Sequence, residues 1–155
     1  MNGKDKKYPF FFTSRHDSHA EYVVKSLKAN KNVFVEKPLC LTNEELEQII
    51  NAKLEAKDLQ LLVGFNRRFS ILSQLLKENI GNGVMNMIYR VNAGNIPANT
   101  WIQDMQLGGG RIVGEACHFI DYLTWLNGSL PVSVYATALP DPENKNDNVS
   151  ININF

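Results

Sequence analysis

The 155-residue sequence carries no excess charge of either sign: Lys plus Arg and Asp plus Glu are each 16, for a formal net charge of zero. Nothing is left over to neutralise a phosphate backbone or an anionic bilayer, so neither nucleic acid nor membrane is expected as a partner. Cysteine is nearly absent. Cys40 and Cys117 lie far apart with no paired spacing, which argues against a disulfide framework and against a zinc site, and fits a reducing cytoplasm. No apolar run approaches the roughly 20 residues that span a bilayer. The piece "YPFFF" that follows Lys4, Lys6 and Lys7 is too short for the apolar core of a signal peptide.

What is present is the composition of a folded domain, 44% hydrophobic and 21% charged. "FFFT" reads as a short apolar strand and "SRHDSH" as a loop into a helix. From Ser18 to Ala29 the apolar positions Ala20, Val23, Val24 and Leu27 mark one helical face. "VFV" is the next strand. Thr42 and Glu45 then form a capping box ahead of a helix whose expected buried face is Leu46, Ile49, Ile50 and Leu54. "LQLLVGF" is a third strand. Short apolar strands alternating with amphipathic helices predict βαβ crossovers and a parallel sheet.

The pattern changes after Phe69. A short helix with Leu72, Leu75, Leu76 and Ile80 ends at "GNG", and Met85, Met87, Tyr89 and Val91 alternate as in a half-buried strand. "GNIPANTWIQDMQLGGG" is a long Gly-, Pro- and Asn-rich loop, a length usually reserved for function. A helix over roughly 111–126 follows, then two alternating strands, "PVSVYATA" and "VSININF", joined by the polar "LPDPENKND". The change of style divides the chain into 1–69 and 70–155.

Two places bear chemistry. In "NVFVEKPL" a buried-type strand stops at Glu36 and Lys37, and Pro38 forbids its continuation. A lysine held there can hydrogen-bond a reacting oxygen and assist proton removal; the bland alternative is a solvated lysine in a strand-to-helix turn. On the helix beginning near Arg111, regular spacing would set Glu115, His118 and Tyr122 on one face, with the carboxylate orienting an imidazole that titrates near neutrality. A buried structural histidine beside Phe119 is the alternative. His16 and His19 form an H-x-x-H without further ligands nearby, so no metal is expected.

Taken in order, "TSRHDSHAEYVVKSLKANKNVFVEKPLCLTNEELEQIINA", "LLVGFNRRFS" and "GGGRIVGEACHFIDYL" resemble the Gfo/Idh/MocA family of nicotinamide-dependent oxidoreductases, over nearly the whole chain from Phe10 to Phe155. "GFNRRFS" combined with "NTWIQD", "GGGRI" and "CHFID" most resembles the subgroup fused to a zinc-type alcohol dehydrogenase-like domain. The resemblance implies an α/β fold. Residues 1–69 would be the C-terminal part of a Rossmann parallel sheet that binds NAD or NADP, and residues 70–155 part of an α+β domain with a mostly antiparallel sheet. It implies hydride transfer between NAD(P) and a hydroxyl or ketone carbon of a sugar, polyol or sugar derivative, by a homo-oligomer when the protein is complete.

The same resemblance assigns the residues. Lys37 lies beside the nicotinamide and the reacting hydroxyl, with Glu36 next to it. Thr13, Ser14, His16 and His19 belong to a loop that touches the cofactor, although His19 also reads as a simple helix-start residue. Lys37, His118 and Glu115 are the catalytic candidates, and Arg68, Trp101 and His118 the substrate-binding ones; Trp101 as a loop anchor is an equal alternative. Family members with a histidine at position 118 often carry Asp four residues earlier, where this chain has Gly114. Glu115 can replace that Asp only from a direction about 100° away around a helix. No G-x-G-x-x-G occurs anywhere, and the cluster Gly108–Gly110 follows a loop and lacks that spacing. The first half of the Rossmann domain therefore reads as missing, with each end of the chain cut and Met1 a false start or cloning boundary. Such a chain alone is expected to bind dinucleotide poorly. A non-catalytic interaction or sugar-binding module is the alternative function.

Overall fold

The structure is a computed structural model that describes residues 8–81, 83–141 and 147–155. "MNGKDKK" and most of the polar connection expected over 139–147 lie outside the described residues. β1 (Phe10–Phe12), β2 (Val33–Val35) and β3 (Leu61–Val63) form a parallel sheet in the order β1-β2-β3. The register sets Phe10, Val33 and Leu61 abreast. The helices α1 (His19–Lys28) and α2 (Asn43–Glu55) make the two connections and pack on one another.

Alternation along β2 sends Val33 and Val35 to the helix-covered face, where both are buried together with Val23, Leu27 and Ile49. Removing side chains of this size from water contributes about 1.5–3 kcal/mol each. Phe34 points to the other face, in line with Phe11 and Leu62, which stay 67% and 52% exposed. The capping box is present: the Thr42 hydroxyl accepts from the Glu45 amide, and the Glu45 carboxylate accepts from the Thr42 amide.

The buried face of α2 differs from expectation. Ile49 and Ala52 are buried, whereas Leu46, Ile50 and Leu54 are exposed. The helix meets the core along the narrower ridge through Ile49, Ala52 and Ala56, and the other apolar positions turn away from it. The helix α3 (Ile71–Asn79) is capped by the Ser70 hydroxyl, which accepts from the Ser73 amide. Here too the expected face is not covered, since Leu72, Leu75 and Leu76 are exposed while Ser73 is buried.

Residues 85–91 form no strand. The expected alternation holds at Met85 and Met87, half-buried beside exposed Asn86 and Ile88, but not at Tyr89 and Val91, which are exposed. Among the described residues no strand lies alongside to accept a ladder, because β4 (Ser133–Ala138) and β5 (Val149–Asn154) pair only with each other, antiparallel. The helix expected over roughly 111–126 is present but not regular. A π turn spans Ile112–Ala116 and continues as α4 (Cys117–Asn127), which ends at Gly128 in the left-handed region, φ 84°. Glycine adopts that conformation without a Cβ penalty.

Candidate active site

The carboxyl ends of the three parallel strands open side by side. Glu36 N–H donates to Phe12 O at 2.9 Å and Gly64 N–H to Val35 O at 2.8 Å, so the ladder runs one residue past the strands. Thr13-Ser14, Glu36-Lys37 and Gly64-Phe65 then leave the sheet together, at the edge where ligands of open α/β sheets bind. A Cβ at Gly64 would sit 3.0 Å from Glu36 Oε2, so the glycine makes room for the Glu36 carboxylate. His19 is fully buried beneath this edge, its Nδ1 2.7 Å from Pro38 O and its Nε2 3.1 Å from Ser14 O. It ties the β1 loop to the Glu36-Lys37-Pro38 turn.

Lys37 crosses from this edge to the second half of the chain. Its Nζ donates to Gly114 O at 2.8 Å and to Glu115 Oε1 at 3.0 Å. The π turn over 112–116 presents the Gly114 carbonyl and the Glu115 carboxylate together to the lysine, so the carboxylate stands one residue later than the Asp the resemblance implies. His118 is 8% exposed, stands edge-on to Phe65 at 6.1 Å, and its buried Nδ1 has no hydrogen-bond partner among the described residues. Burial lowers its pKa below the ordinary 6.5, helped by the Lys37 and Arg67 cations and opposed by Glu115 and Glu36. His118 is thereby kept as a neutral imidazole at neutral pH, the form that accepts a proton.

Tyr122 does not join this face. It packs against Tyr89 and Trp125, on a separate cavity of about 570 Å³, because the π turn breaks the regular spacing that would have aligned it with Glu115. Arg68 lies with its guanidinium forked on the Asp121 carboxylate, Nε to Oδ2 at 3.1 Å and Nη2 to Oδ1. Trp101 is held by the imidazole of His16, edge-on at 4.9 Å, and by the Arg15 guanidinium 5.9 Å from its ring. Cys117 is no nucleophile here, since burial pushes its thiol up to about 11. Behind Glu115 a cavity of about 630 Å³ opens between α4 and β5, lined by Tyr89, Asn92, Arg111, Phe119, Asp147 and Ile151.

Two family descriptions match in tandem. Residues 10–65 match "Oxidoreductase family, NAD-binding Rossmann fold" and residues 74–155 match "Oxidoreductase family, C-terminal alpha/beta domain". The chain belongs to the Gfo/Idh/MocA oxidoreductase family. Among curated Gfo/Idh/MocA-like proteins it is similar to myo-inositol 2-dehydrogenase of Thermotoga maritima, 31% identical over 125 residues, which cover 79% of this chain and 37% of that protein. It is also similar to inositol 2-dehydrogenase of Rhizobium meliloti, 30% identical over 123 residues, covering 79% and 37%. A solved structure described as a probable dehydrogenase from Thermotoga maritima superposes with a TM-score of 0.73 at 26% identity, over 96% of this chain and 47% of that one. The chain thus spans a little over a third of the length of these curated relatives.

The match to an NAD-binding Rossmann description covers the strands that form this edge. Three parallel strand ends supply a polar rim at Thr13, Ser14 and Glu36, and His118 Nδ1 is buried without a partner among the described residues. Residues that motif reading missed are those joining the two halves. Gly109, at φ 74°, would carry a Cβ 2.6 Å from Leu41 Cδ2, and Asp121 holds Arg68. The glycine cluster signalled a close approach, whereas Asp121 in the middle of an amphipathic helix gave no signal.

Proposed function

We propose that the chain is part of an NAD(P)-dependent oxidoreductase acting on CH–OH groups of a sugar, polyol or sugar derivative, with residues 1–69 contributing to the cofactor domain and 70–155 to the substrate domain. The observation that carries this reading is the convergence of Lys37, Glu115 and His118 at the carboxyl edge of the sheet, across the junction of the two halves. The inositol dehydrogenases to which the chain is similar favour a polyol as substrate. The bound nicotinamide supplies the hydride acceptor at C4.

The remaining steps belong to residues of this chain. Lys37 donates a hydrogen bond to the substrate oxygen and stabilises the charge that develops as its proton leaves. Glu115 and the Gly114 carbonyl hold the ammonium in place between substrate and helix. His118, kept neutral, accepts the hydroxyl proton, and in the reverse direction returns it. Thr13, Ser14 and Glu36 line the cofactor side, and His16 and His19 act there through the loop they fix. The cavity behind Glu115 is of the size that holds a sugar ring, with Trp101 and Arg68 shaping its approach through the loop and helix they anchor. NAD and NADP are both retained as cofactors, and the assembly is a homo-oligomer. Kinship with members fused to a zinc-type alcohol dehydrogenase-like domain is part of the same reading.

The test is a panel of inositols, aldoses and sugar acids incubated with the full-length enzyme and NAD+ or NADP+, followed by absorbance of the reduced nicotinamide. Cofactor reduction by at least one polyol or sugar is expected, and a rate lowered about 10²–10⁴-fold by His118→Asn. No turnover across the panel, or an unaltered rate in the variant, would remove this reading.

A further inference from the structure

His16 is a buried imidazole to which the chemistry above gives a part only through its loop. It lies in the helical turn just after β1, 8% exposed, and its Nδ1 stands 2.9 Å from Gly108 O. A carbonyl only accepts, so Nδ1 carries the proton and the ring donates. Ninety-two residues separate the two partners in sequence, and the bond crosses from the cofactor half to the glycine turn ahead of α4. The same edge of the ring meets Gly114. A Cβ at that position would lie 3.2 Å from His16 Cε1 and 3.3 Å from Gly108 O, closer than neighbouring atoms normally allow. Gly114 is also the residue whose carbonyl accepts from Lys37. One imidazole therefore touches both the turn that starts the π segment and the residue that receives the lysine.

We propose that His16 is a positioning residue for Lys37: its ring fills the space that a side chain at position 114 would need, and its bond to Gly108 sets the turn so that the Gly114 carbonyl and Glu115 carboxylate meet Lys37 Nζ. This rests on the reading of Lys37 as the lysine of the reacting centre. It also explains the glycine at 114. The position is empty of side chain because an imidazole from the other half of the chain occupies its place, and the carboxylate is carried by residue 115 instead. Burial, with the Lys37 cation second among the lowering influences, depresses the His16 pKa, which keeps the ring neutral and its Nδ1–H directed at the carbonyl.

The experiment uses the 155-residue chain and needs neither cofactor nor turnover, so its failure is distinguishable from failure of the enzymatic reading. Two signals are followed by NMR in wild type, His16→Ala, His16→Asn, His16→Gln, Gly114→Ala and the double variant His16→Ala/Gly114→Ala. One is amide exchange at Gly108, Gly109 and Gly110, whose N–H groups donate to Asp104 O, Asp104 O and Ile102 O. The other is the Lys37 ammonium resonance, sharp only while its protons are held in hydrogen bonds. His16→Ala should speed exchange at the three glycines about tenfold, as loss of one buried hydrogen bond implies, and broaden the lysine signal. Asn, whose amide nitrogen overlays Nδ1, should retain both signals, and Gln, which reaches the Nε2 position, should lose them. Gly114→Ala should reproduce the damage in the presence of the ring and add nothing in its absence. Amides of Val23 and Val35 report whether the core stays folded; if His16→Ala unfolds it, the Asn and Gln pair decides. A Lys37 signal indifferent to His16, or a Gly114→Ala effect equal with and without the imidazole, overturns the proposal.

Discussion

The two halves of the molecule keep their order by different means. Of the nine buried apolar residues among those described, eight fall between Ala20 and Leu59, and only Leu126 belongs to the second half. The first half has a core of its own, in which β2 is clamped between its neighbours and covered by α1 and α2. The second half has a bare two-stranded ribbon, every residue of β4 being exposed, and a helix held mostly by polar bonds to the first half. These are the Arg68–Asp121 fork and the Lys37 bonds to Gly114 and Glu115. The lesson is that the proposed reacting cluster sits where the half with most of the buried core meets the half with little of it. Its geometry therefore depends on a few bonds across the junction more than on packing beneath it.

The sharpest way to break this contrast is to cut equivalent apolar contacts in each half. Ile49→Ala should lower stability by about 2–5 kcal/mol in urea denaturation. Val134→Ala, in a residue 68% exposed, should stay within about 0.5 kcal/mol. Equal effects would show that the ribbon has a core of its own. Next in size is Asp121→Ala, which strips the Arg68 fork. A loss of about 1–2 kcal/mol is expected for a charged, partly screened pair, together with earlier proteolytic cleavage after residue 100 and unchanged protection of α1.

The smallest effect comes from pH. His16 and His118 both have native pKa values lowered from 6.5 by burial, so the unfolded chain binds protons that the native chain refuses. Their contribution is complete above about pH 6.5 and is lost as the pH falls through that value toward the lowered native ones. The urea midpoint should fall on going from pH 7.5 to 5.5, and His16→Asn should flatten that slope. A midpoint that rises over the same interval would show that the imidazoles gain protons on folding.

How much of this was legible in the sequence follows the same division. The parallel βα half was readable because its signals are local: alternation at Val33 and Val35, helical spacing at Ala20, Val23 and Leu27, and the Thr42–Glu45 box. Which stripe of α2 would be buried was not, since Leu46, Ile50 and Leu54 are as apolar as Ile49 and only the neighbouring elements choose between them. The strand expected over 85–91 did not form, because alternation in sequence fixes faces and not partners. At the site, Lys37 was marked by the proline that ends its strand, and the family resemblance added His118. The π turn left no sign in the sequence because helix periodicity does not report an inserted residue, and Lys37, which meets Gly114 there, lies 77 residues away. For the same reason His16 read as a cofactor-loop residue, while its partner Gly108 lies in the other half.

The central claim is that Lys37, delivered to the sheet edge by β2 and held by Gly114 and Glu115, assists the departure of the substrate proton. Steady-state kinetics of Lys37→Met in the full-length enzyme, with cofactor affinity measured alongside by nicotinamide fluorescence, tests it most directly. The account predicts kcat lower by about 10²–10⁴-fold, with cofactor affinity and the folded core little changed; an unaltered kcat in a variant that still binds cofactor would contradict it.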